Sequence, residues 1–102
     1  MIRVLYQLKS DPHAIDELRA AWAEIVEAHA RAGHGALESL LLQDHEDPSR
    51  VLIISRWQSI EHWNTQQNDD VHPAAFARLR TVATLEHKSI FDERGVIAQT
   101  AP

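Results

Sequence analysis

"ALESLLLQDHEDPSRVLIISRW", residues 36–57, decides the fold. Two apolar runs, Ala36–Gln43 and Arg50–Trp57, flank "DHEDPS", an Asp-rich turn closed by Pro48. A connection this short makes the two runs an antiparallel hairpin. Within the second run, "VLII" is apolar at odd and even positions alike. A sheet covered by helices on one face alternates apolar and polar side chains. Both faces of this sheet therefore ask to be dry.

Working outward, "IRVLYQLK", Ile2–Lys9, has the β-branched and aromatic character of a first strand. Asp11 before Pro12 is an N-cap followed by proline at the first helical position. Ile15, Leu18, Trp22, Ile25, Val26 and His29 fall on one helical face, which predicts a helix from about Pro12 to Ala32. Gly33 and Gly35 end it. Beyond the hairpin, Ser59 caps a short helix containing Ile60 and Trp63, and "QNDD" interrupts it. Pro73 opens a further helix with Phe76, Leu79 and Val82 as its apolar positions. "TLEHKSIFDE", Thr84–Glu93, alternates and reads as the last strand.

The order βαββαβ is an α+β, ferredoxin-like arrangement: a four-stranded antiparallel sheet with helices on one face. One domain is expected over residues 1–93, with a tail over 94–102 that is weakly apolar and long enough to reach a partner. The helices cover one face only. A second copy is the simplest cover for the other, so a homodimer packed through its sheet faces, a dimeric α+β barrel, is expected.

Composition narrows the function classes. The 102 residues carry no cysteine, which excludes disulfides and thiolate metal sites. Ten Lys/Arg against fifteen Asp/Glu give a net charge of −5 with no basic patch, so neither nucleic acid nor an anionic membrane is an expected partner. No signal-like or membrane-spanning run is visible, and a cytoplasmic location is expected. Small molecules and protein partners remain. Seven histidines invite a metal, but none shows a short ligand spacing with a carboxylate.

"RVLIISRWQSIEHWNTQQ", together with the upstream "GHGALESLLLQDHEDPSR", resembles the antibiotic biosynthesis monooxygenase family of dimeric α+β barrels. The pattern W-x-S-I-x-H, here Trp57, Ser59, Ile60 and His62, is similar to that of its quinol-monooxygenase-like members. The resemblance implies a small-molecule protein of one of three kinds. Some such proteins are oxygenases acting on quinols or polycyclic anthrones without metal or flavin, others degrade haem, and many have no assigned reaction. The haem-degrading branch is similar in having an Asn on the first strand, a Trp nine residues after the strand Trp, and a His further on. Here those positions hold Tyr6, Gln66, and Ala75 or Phe76. Many members also keep a His where Gln66 stands.

Cofactor-free oxygenation of an aromatic polyketide or quinol needs a flat apolar slot, a base active near neutral pH, and a donor to the developing oxyanion. Under that reading His72 is the base, Tyr6 and His87 orient the substrate, and Trp63, Trp22 and Phe76 form walls, with His29 also at the slot. Each has a plainer reading. His72 precedes Pro73 and suits an N-cap; His29 suits a helix C-terminus, where the dipole favours a cation. Trp63 and Trp22 suit core packing, and His87 a strand face shared with Leu85 and Phe91. His13, His34 and His45 suit solvated turns. The other class of function is a small-molecule-binding dimer that keeps the slot and has lost the chemistry.

Overall fold

The strands order themselves β2-β3-β1-β4 in one sheet, with every neighbouring pair antiparallel. The computed structural model describes residues 1–33, 35–67 and 72–99. Its elements are β1 (Ile2–Ser10), a 3-10 turn (Pro12–Ala14) leading into α1 (Ile15–Arg31), β2 (Ala36–Gln43), β3 (Arg50–Trp57), α2 (Ile60–Gln67), α3 (Pro73–Val82) and β4 (Ala83–Asp92). This is the expected α+β, ferredoxin-like order. Both hairpin strands have the bounds expected from sequence, and β4 begins one residue earlier. His34, residues 68–71 (most of the "QNDD" break) and residues 100–102 of the tail lie outside the described residues.

Local chemistry explains the ends. The Asp11 carboxylate accepts the His13 backbone N–H at 2.9 Å, and Pro12 needs no donor there. The expected helix thus opens as a tighter 3-10 turn before α1 proper. Gly33 and Gly35 take φ of 71° and 81°, the left-handed region, and turn the chain back into β2. In the β2–β3 turn, Asp44 accepts the backbone N–H groups of Glu46 and Asp47. Those two bonds hold its carboxyl below the ordinary range. Ser59 Oγ accepts the His62 backbone N–H and lies 2.6 Å from His62 Nδ1, a capped start for α2.

The core lies between the sheet and α1, with Val4, Leu18, Ile25 and Ile53 fully buried. Along β3 the helix-facing side chains are Val51, Ile53, Ser55 and Trp57, all buried. The alternate positions Leu52 and Ile54 point to the other face and pair with Leu42 and Leu40 of β2. Leu40, Leu42 and Phe91 on that face are 52%, 44% and 54% exposed. "VLII" therefore feeds two faces, as its lack of alternation requires. Among the described residues, no helix is long and apolar enough to cross a membrane.

β4 does not keep strict alternation. Its register against β1 shifts between Gln7 and Leu8: Leu85 pairs with Leu8, but His87 pairs with Gln7 and Phe91 with Arg3. Glu86 is the extra residue of a bulge. The bulge corrects the expectation that His87 shares a face with Leu85. His87 and Phe91 lie on the open face, while Leu85 faces the helices.

Candidate active site

A cavity of about 510 Å³ opens between α1, α3 and the helix-facing side of the sheet. Tyr6 reaches it from β1, Trp22 and His29 from α1, Ser39 from β2, Gln66 from α2 and Phe76 from α3. Its walls are mainly aliphatic and aromatic, the composition that holds a flat ring and excludes water.

Tyr6 is the best-positioned polar group. Its ring meets Trp22 edge-on with centroids 5.7 Å apart. Its hydroxyl oxygen accepts the Trp63 Nε1–H at 3.1 Å. Trp63 is buried with Ile2, Val4 and Trp57 behind Tyr6 and does not line the cavity, so it positions the phenol instead of forming a wall. Burial pushes the Tyr6 phenol above its ordinary value, and the Trp63 bond offsets that only in part. The phenol thus keeps its proton at neutral pH. With one lone pair taken by Trp63, it is set to donate.

Trp22 is fixed by its own polar edge. Its Nε1–H donates to Ser39 Oγ at 2.8 Å, and Ser39 Oγ shares a 3.0 Å bond with Ser55 Oγ across β2 and β3. These serines hold the indole upright as one side of the slot. His29, 4% exposed, stands edge-on to Trp57 with centroids 5.6 Å apart. Among the described residues it is the histidine that lines the cavity.

Besides Trp63, two expected site residues lie elsewhere. His72 Nδ1 accepts the Ala75 N–H at 3.3 Å as the N-cap of α3, and its Nε2 lies 3.6 Å from Glu24 on the outer surface of α1. It does not line the cavity. The imidazole is held by the orphan donors that every helix start presents. His87 is on the far side of the sheet. Tyr6, Trp22, Phe76 and His29 do converge. Gln66, which stands where the resemblance implies His or Trp, is 8% exposed and lines the cavity. The one sequence signal for it was its position, three residues after Trp63 on the same helical face. Among the described residues no cluster of metal-binding side chains forms.

A four-stranded antiparallel sheet with helices on one face is the α+β, ferredoxin-like architecture. The model of the antibiotic biosynthesis monooxygenase family matches residues 1–78, and the chain belongs to that family. A comparison with curated proteins finds no match. Among solved structures, SnoaB from Streptomyces nogalater, described as a cofactor-independent oxygenase, superposes with a TM-score of 0.76 at 16% identity. That match covers 96% of this chain and 97% of SnoaB. A structure described as an antibiotic biosynthesis monooxygenase gives a TM-score of 0.62 at 20% identity, with both chains fully covered. A conserved protein from Methanosarcina mazei gives 0.69 at 16%, covering 91% of this chain and 92% of its own. At such identities the likeness shows the fold.

Proposed function

We propose that the protein is a cofactor-independent oxygenase acting on a flat aromatic hydroxy compound, a quinol or a polycyclic polyketide-like ring. The observation that carries this reading is the Tyr6 hydroxyl, protonated and aimed by Trp63 in an aromatic-walled cavity. Family membership and the SnoaB fold support it.

The chemistry asks little of the protein. Removing a proton from the bound substrate leaves an electron-rich anion that reduces dioxygen directly. A carbon–oxygen bond forms, and the resulting peroxide loses water to leave a carbonyl. The substrate loses two hydrogens and gains one oxygen atom, and the other oxygen leaves as water, so no external reductant is needed. Tyr6 donates to the substrate oxygen that carries the charge. With His72 and His87 outside the cavity, His29 is the group we assign as proton acceptor. The test is oxygen uptake with an anthrone and with naphthalene-1,4-diol. Wild type consumes oxygen, and His29→Gln lowers the rate by about 10²-fold or more.

Gln66 favours a second reading, binding without chemistry, because an amide at the cavity wall neither takes nor gives a proton at neutral pH. Ligand binding with no oxygen uptake across the panel selects it.

We further propose that a second copy covers the open sheet face. Leu5, Leu40, Leu42, Leu52, Ile54 and Phe91 share that face by register. At one end Glu93 joins Arg3 and Arg56 in a charged cluster that frames the apolar patch.

A further inference from the structure

Gln66 belongs to the inner face of α2, one turn after Trp63. Its side chain is 8% exposed and lines the cavity. Among the described residues the fully buried side-chain polar atom without a partner is Trp57 Nε1, not the Gln66 amide. The Gln66 amide instead borders the open cavity, where a bound molecule can meet it. A carboxamide offers an N–H donor and a C=O acceptor side by side. A phenolic hydroxyl matches it, since the hydroxyl donates one bond and accepts another. A bare hydrocarbon ring does not.

Tyr6 adds a second point of contact. Its oxygen is occupied by Trp63 as acceptor, which leaves its own proton for a ligand oxygen. Tyr6 rises from the sheet and Gln66 from α2, so the two groups address the slot from separate elements. Trp22 and Phe76 supply the apolar walls between which a ring would lie.

We propose that Gln66 is the specificity residue of this cavity, binding one hydroxyl of an aromatic ligand that carries at least two oxygen substituents, with Tyr6 binding another. The assignment rests on the aromatic-cavity reading above and adds which atoms of the ligand are recognised. It concerns binding and is independent of turnover.

The experiment is calorimetric titration under argon, where naphthalene-1,4-diol does not oxidise. Wild type, Gln66→Leu and Gln66→Glu are titrated with naphthalene-1,4-diol, 1-naphthol and naphthalene. Wild type binds the diol about tenfold or more tighter than naphthalene. Gln66→Leu loses that preference by weakening the diol while binding naphthalene at least as well. Gln66→Glu keeps an acceptor without the amide donor and holds part of the preference. Equal weakening of all three ligands in Gln66→Leu would assign Gln66 a purely structural role and overturn the proposal. Unchanged affinities would overturn it too. Both results leave the cavity reading standing. Binding of none of the three to wild type overturns the cavity reading and this assignment together.

Discussion

At the scale of single residues, the site turns on how each polar atom is occupied. Tyr6 and Trp63 form one unit, since the indole N–H fixes the phenol and the phenol satisfies the buried N–H. Tyr6→Phe therefore does two things. It leaves Trp63 Nε1 without an acceptor, which destabilises the fold by about 1–3 kcal/mol in chemical denaturation. It also removes the donor proposed for the substrate anion, which is expected to lower the oxygenation rate by about 10²–10³-fold. Trp63→Phe separates the effects, because the Tyr6 hydroxyl survives and activity falls less than in Tyr6→Phe. His72 shows the opposite occupancy. Its Nδ1 is committed to the Ala75 N–H, so the ring that sequence reasoning chose as base is holding a helix start. His72→Ala is expected to shift stability more than turnover.

At the scale of elements, the α1–β2 turn and the first turn of α2 depend on each other. Gly35 sits at φ +81°, and a Cβ built there would approach the His62 ring to 2.7 Å. The ring is in turn fixed by Ser59. Gly35→Ala is expected to destabilise by about 1–3 kcal/mol, from backbone strain and the ring contact together. In Gly35→Ala with His62→Ala the contact is gone and the strain remains. The double variant should therefore be more stable than the two single effects added, a coupling readable from a double-mutant cycle in urea. The bulge in β4 is the other element-scale device. It reverses the faces of every residue after Glu86 relative to simple alternation, which sends Phe91 and His87 to the open side.

At the scale of the whole molecule, the sheet has one face under helices and one without. Val96 and Ile97, beyond β4, are also exposed, at 79% and 101%. The Glu93 carboxylate ties the root of this tail to β1 and β3. Burial works against its charge, but Arg56 and Arg3 outweigh that and hold its pKa below the ordinary range. If a second copy covers the open face, light scattering after size exclusion gives about twice the 11.6 kDa chain mass. Leu40→Glu, which places a charge in the middle of the patch, then shifts the protein to monomer at micromolar concentration. A wild-type monomer across that range would sink the dimer.

The element order, the hairpin and the two-faced apolar strand were all present in residue periodicity and turn chemistry, which are local properties of the chain. "VLII" without alternation already meant apolar side chains on both faces of the sheet. The family resemblance was carried by residues 33–67, with Trp57 to His62 as its core motif, and the family is shown over residues 1–78. The choice among the histidines was not local. Which face His87 occupies depends on one extra residue in the pairing of β4 with β1. Whether His72 is free depends on where α3 starts. Whether Gln66 is solvated or confronts the cavity depends on how α2 packs against the sheet. Side-chain chemistry is written in the sequence, but its direction is set by register, capping and packing between segments far apart in the chain, and those exist only once the chain has folded.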